Sequence, residues 1–212
     1  MTSVEAAMPR LRSVWISASL ALAGVGVLAY AALKPPSAYH PVTAAMNEAA
    51  GTMSGRPATE LSALATDGKR HSPAFDARDK PAVLVFIRDG CPCSEAADPY
   101  FRRLYAAYGS DAAFLGIMDG DLDTARDWAG RHGTPYPILS DPDRRVIRAC
   151  QAERSAYVML VASGGRIEAF WPGYSAAMLR ELGTRLARMA GHSEVPLDVE
   201  GAPGELGSGC RF

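Results

Sequence analysis

Hydrophobic positions along this chain follow distinct spacings, and each spacing predicts an element. Residues 82–87, Ala-Val-Leu-Val-Phe-Ile, and 113–118 are apolar almost without interruption, as strands buried on both faces of a sheet are. Met178, Leu179, Leu182, Leu186 and Met189 recur at helical intervals and predict a helix over 175–189. Further helices are expected from the Cys91-Pro92-Cys93-Ser94 stretch to about Tyr108, broken by Pro99, over 122–131 carrying Trp128, and over 144–150. Gly133-Thr134-Pro135 stops the second of these. A strand is expected at 60–65 before the turn Asp67-Gly68, and a short one at 136–139. Residues 157–161 and 166–170, separated by Ser163-Gly164-Gly165, predict an antiparallel hairpin. This order implies an α/β domain in which a mixed sheet carries helices on both faces.

Outside that domain the patterning changes. Residues 14–33 form an uncharged, mostly apolar run without a polar face, long enough as a helix to cross a bilayer core of about 30 Å. Arg10 and Arg12 precede it, which favours a cytoplasmic N-terminus over 1–13 and places everything after the run beyond the membrane, in the periplasm of a bacterium. Ala29-Tyr30-Ala31 has the small-x-small form of a cleavage site, so the segment reads as a transmembrane anchor or, alternatively, as a cleaved signal that releases the protein to the periplasm. Residues 34–55, beginning Lys34-Pro35-Pro36-Ser37, read as a tether with a short helix at 43–50. The folded domain is expected over 56–191. Residues 192–212 turn to Pro, Gly and acidic residues and read as a flexible tail carrying Cys210. No internal repeat is present.

Composition narrows the function. Of 212 residues 48% are hydrophobic and 21% charged, with a net charge of −1, so the chain is globular and lacks the concentrated Lys and Arg that nucleic-acid binding needs. His40, His71, His132 and His192 show no i, i+3 or i, i+4 pairing and predict no zinc site. Asp119, Asp121 and Asp123 begin a helix rather than lie in a calcium loop, and Asp121 or Asp123 is expected to cap that helix. No bound cofactor is implied.

The chemistry lies in sulfur. Cys91 and Cys93 sit where a buried strand hands over to a helix, and there unpaired backbone N–H groups and the helix dipole favour the thiolate, the species that attacks disulfides and peroxides. All four cysteines, Cys91, Cys93, Cys150 and Cys210, follow the apolar run, in a compartment that permits disulfides. Their pairing stays open among three complete connectivities. Cα atoms two positions apart lie roughly 5–7 Å from each other, so Cys91 and Cys93 can close a tight, easily reduced ring that Pro92 stiffens. Alternatively Cys91 reacts first and is resolved by Cys210 on the tail or by Cys150, which otherwise reads as a small buried apolar residue.

Here the chain resembles the thioredoxin-like superfamily, and within it the redoxin group of thiol-disulfide reductases and alkyl-hydroperoxide-reductase-type peroxiredoxins. Phe86 and Cys91 are spaced as that group spaces its strand aromatic and nucleophile, and Pro99 falls eight positions after Cys91, where thioredoxins kink the active-site helix. Residues 61–75 with Asp67-Gly68-Lys69 look like the N-terminal strand pair, and 155–161 with Gly164-Gly165-Arg166-Ile167 look like the late hairpin. Trp171-Pro172-Gly173-Tyr174 resembles the loop after the last strand, close to the active site. Three positions depart from the pattern. Ser94 stands where a C-x-x-C motif has its second cysteine, Ala156 where the hairpin has a cis-proline, and Arg88 where peroxiredoxins have Thr or Ser.

The expectation is an extracytoplasmic thiol-disulfide oxidoreductase with Cys91 as nucleophile and Cys93 as its nearby partner. Arg88, Pro92, Ser94 and Ala156 form the expected environment. Its partners would be protein or small-molecule thiols and disulfides, and the membrane through the N-terminal helix. A thiol peroxidase is the alternative within redox chemistry. A periplasmic Cu(I)-binding protein is the alternative outside it, because Cys91 and Cys93 offer two soft donors.

Overall fold

A computed structural model of the chain describes residues 39–212. The expected anchor at 14–33 lies outside them, and among the described residues no helix is long and apolar enough to cross a membrane.

The central sheet has five strands. β4 (Ala82–Ile87), β5 (Ala113–Met118) and β6 (Ile138–Ser140) run parallel, while β7 (Val158–Val161) and β8 (Ile167–Trp171) are antiparallel, in the order β6-β5-β4-β7-β8. β4 is central and buried at all six positions, which is why its sequence is apolar on both faces. Val83, Val85 and Ile87 point into one core with the helices α3 (Pro92–Tyr108), α4 (Leu122–His132) and α6 (Ala176–Ala190). Leu84 and Phe86 point into the other, closed by α1 (Ala44–Gly51), α2 (Pro73–Asp76) and α5 (Arg145–Ala149). The mixed sheet covered on both faces is therefore as the hydrophobic pattern requires.

Local signals account for most boundaries. Asp121 accepts the Thr124 N–H at 2.8 Å and caps α4, and Gly133 ends it in the left-handed conformation. Ser175 caps α6 and Thr43 caps α1, the short helix expected in the tether. The strand expected at 60–65 is reduced to β2 (Ala63–Leu64), which pairs only with β3 (Arg70–His71) in a small separate hairpin.

The larger difference concerns the C-terminus. Residues 192–212 are largely irregular, but they are not a free tail: Gly207, Ser208 and Gly209 are buried. β9 (Gly207–Ser208) pairs with β1 (His40–Pro41), and Gly207 exchanges two backbone hydrogen bonds with Tyr174. The glycines serve close approach rather than mobility. A Cβ on Gly207 would meet the Tyr39 ring at 2.5 Å, and one on Gly209 would meet Ser155 Oγ at 2.1 Å.

Candidate active site

β4 delivers the chain to the site. After Ile87 the backbone turns through Gly90, which has positive φ, and Cys91 becomes the N-cap of α3. Pro92 occupies the first helical position, where a missing N–H costs nothing. Ser94 is buried and its hydroxyl accepts the Arg88 N–H at 3.1 Å, which fixes the loop against the first turn. Cys91 is 2% exposed and Cys93 3%, so both thiols face inward.

The opposite wall comes from two segments distant in sequence. Ser155 donates its hydroxyl to Cys91 Sγ at 3.3 Å, and Cys210 donates its backbone N–H to the same sulfur at 3.2 Å. Ser155 is paired on both sides of its own backbone: its N–H reaches the Cys210 carbonyl at 2.9 Å, and its carbonyl accepts the Gly209 N–H at 2.8 Å. A bridge between Arg154 and Arg211 extends this short antiparallel contact. Ala156, at the expected cis-proline position, is buried with φ 59, and among the described residues no peptide bond is cis. Its N–H donates to the Phe86 carbonyl at 2.7 Å, which locks the Ser155 turn to β4.

These contacts separate the four thiols. Burial opposes the charged form of Cys91, but the Cys210 thiol, the Ser155 hydroxyl and the backbone N–H groups of Cys210 and Ser94 outweigh it and bring Cys91 from 9.0 down to about 6. Burial and the neighbouring Cys91 charge push Cys93 up to about 12. Cys210 is also raised, first by burial and then by holding its proton against Cys91. Cys91 is thus the thiolate, while Cys93 and Cys210 are the protonated thiols grouped around it.

Cys150 is elsewhere. It is buried in the second core beside Val146 and Ile147, and burial followed by the Asp141 charge pushes it up to about 12. It has no part in the group around Cys91. Arg88 lies near the site but its guanidinium is turned to Asp119, 4.0 Å away, which Arg144 also approaches at 3.7 Å. The loop 171–174 contributes Tyr174, whose backbone holds Gly207 and thereby the Cys210 segment.

Two site residues carry no signal of their own in the sequence. Ser155 is an ordinary serine until the hairpin turn sets it against Cys91; its only flag is its place before Ala156. His40, whose spacing predicts no metal site, has its ring nitrogen together with the sulfurs of Cys93 and Cys210, all within 4.8 Å of one another.

A thiolate at a helix N-terminus, facing the Ser155-Ala156 turn that leads into β7 of a five-stranded mixed sheet, defines a thioredoxin-like thiol oxidoreductase. The family model described as AhpC/TSA family matches residues 54–171, more than half of the chain, and the protein belongs to that family of redoxin-type oxidoreductases and peroxidases. No curated protein sequence gives a match. Among solved structures, a cysteine-to-serine mutant of PrxQ from Xylella fastidiosa is similar with a TM-score of 0.57 at 17% identity, over 64% of this chain and 96% of that one. A secreted Mycobacterium tuberculosis disulfide oxidoreductase homologous to E. coli DsbE gives a TM-score of 0.52 at 24% identity, over 61% of this chain and 96% of that one. Peroxidoxin BcpB of the same organism gives 0.54 at 17% identity, over 67% and 99%. At these identities the likeness is one of fold.

Proposed function

We propose that this protein is an extracytoplasmic thiol-disulfide oxidoreductase in which Cys91 of the Cys91-Pro92-Cys93 motif is the nucleophile and Cys210 the resolving thiol. The observation that carries the reading is the pairing of Ser155 with Gly209 and Cys210. The edge beside the Cys91 sulfur already accepts an extended, cysteine-bearing segment through N–H and C=O contacts. A substrate strand carrying half of a disulfide fits the same edge once the segment lifts.

In the first step the Cys91 thiolate attacks one sulfur of the substrate disulfide, forming a mixed disulfide, and the second substrate sulfur leaves as a thiolate that takes a proton from water. Cys210, giving up its proton as it attacks, then displaces the remaining substrate sulfur. The substrate leaves as a dithiol and the protein as a Cys91–Cys210 disulfide, which an external dithiol reduces. Cys93 lies beside both and is the alternative resolving group. Residues 14–33 after Arg10 and Arg12 support the extracytoplasmic placement and a membrane anchor.

A thiol peroxidase is the second reading, favoured by the burial of Cys91, which a small peroxide reaches more easily than a protein disulfide does. There Cys91 would take the distal peroxide oxygen, releasing an alcohol or water and leaving a sulfenic acid, which the Cys210 thiol would condense to a disulfide with loss of water. The test is turnover of the reduced protein on a protein disulfide and, separately, on hydrogen peroxide. The proposal expects disulfide reduction that Cys91→Ser abolishes and Cys210→Ser leaves trapped as a mixed disulfide. Fast peroxide consumption with no reduction of the protein disulfide overturns it in favour of the peroxidase.

A further inference from the structure

We infer that His40, Cys93 and Cys210 form a binding site for Cu(I). Their donor atoms, one imidazole nitrogen and two sulfurs, lie within 4.8 Å of one another, on three segments whose backbones are already fixed. Cys93 is in the first turn of α3. Cys210 is held by its own N–H on Cys91 Sγ and its carbonyl on the Ser155 N–H. His40 is held by the β1–β9 pairing and by the Ser208 hydroxyl, which donates to its carbonyl at 3.2 Å.

Metal–sulfur and metal–nitrogen bonds of about 2.0–2.3 Å at trigonal angles put ligand atoms roughly 4 Å apart, so side-chain rotation alone closes the observed spacing. The donor set selects the ion. The two thiols, which give up their protons to solvent on binding the metal, and the imidazole are soft to borderline ligands and suit a d10 ion content with three donors. Zn(II) in a structural site takes four, and the sulfur of Cys91 does not join the group in which all three donors converge. No carboxylate belongs to the group either, which disfavours hard cations. The exposed imidazole of His40 gives the ion a route in from solvent, while both sulfurs lie deeper. Because Cys93 and Cys210 are also the thiols beside the nucleophile, a bound ion occupies both possible partners of Cys91, and copper loading and disulfide turnover exclude each other.

The test is an anaerobic titration of the reduced full chain with Cu(I) against a chromophoric Cu(I) chelator, with X-ray absorption on the loaded protein. The expected result is one Cu(I) per chain, bound by one nitrogen and two sulfur neighbours. His40→Ala should weaken it by about tenfold or more, and Cys93→Ser or Cys210→Ser by more still. Cys91→Ser should retain the copper. His40 is exposed, so its replacement leaves the fold intact, which circular dichroism of the copper-free variant checks independently. Copper affinity unchanged by His40→Ala, a requirement for Cys91 in place of Cys210, failure to hold Cu(I) against the chelator, or one equivalent of Zn(II) retained in preference to Cu(I) would each overturn the assignment.

Discussion

Cys210 donates its backbone N–H to the sulfur of Cys91 at 3.2 Å, across a separation of 119 positions. The surroundings of Cys91 are therefore completed by a segment far along the chain that does not belong to the central sheet, and the acidity of its thiol depends on that segment. The Cys91 thiolate should titrate with a midpoint at about 6, followed by ultraviolet thiolate absorbance with Cys91→Ser as the blank. Because the folded-state value is depressed, the associated stability is complete above the ordinary value of 9.0 and is lost as pH falls through about 6. A midpoint near the ordinary value would remove the basis for Cys91 as the attacking thiol.

Gly209→Ala should detach the C-terminal segment. The added methyl meets Ser155 Oγ at 2.1 Å and the Ser155 carbonyl oxygen at 2.9 Å, and the second is backbone that cannot rotate away. The Cys91 midpoint should rise by roughly one pH unit or more, as expected when a hydrogen bond to a charged group is lost. Protease sensitivity should appear within 192–212 while the core helices keep their circular dichroism. An unchanged titration curve would show that the segment is not what stabilises the thiolate.

Ala156→Pro, which restores the residue type expected at this position, should destabilise the protein. The native φ of 59 is closed to proline, and the N–H that donates to the Phe86 carbonyl at 2.7 Å would be lost. A loss of about 3 kcal/mol in urea unfolding is expected. Ala156→Gly should instead stabilise by roughly 1 kcal/mol, since the left-handed conformation strains a residue with a Cβ.

Cys150→Ala separates packing from chemistry. Cys150 is buried in the core opposite the site, so unfolding should occur at lower denaturant, with a cost of about 1 kcal/mol. Disulfide turnover and the Cys91 titration should not change. Loss of turnover in a variant that is still folded would mean that Cys150 takes part in resolution after all.

The strands and helices around Cys91 were legible in the chain because each is specified locally. Continuous apolar residues suffice for β4 and β5, helical spacing for α6, and Asp121 and Gly133 for the two ends of α4. The place of Cys91 at the start of α3 follows from the same local logic. Gly207-Ser208-Gly209 was open to the opposite reading. Small residues signal mobility in isolation, yet here they let Tyr39 and Ser155 approach the backbone to within contact distance.

By itself, then, the sequence determined an α/β domain with a cysteine at a strand-to-helix junction, since hydrophobic period and capping act over a few residues. Only the tertiary structure decided which groups surround that cysteine. Ser155 and Cys210 reach it, and His40 reaches the neighbouring Cys93 and Cys210 sulfurs, through pairings between segments far apart in the chain, Ser155 with Gly209 and Cys210, and His40 with Ser208. The same packing decided which thiol is charged. A thiol's acidity follows from the balance between its burial and the donors aimed at it, and that balance exists only once the distant segments meet.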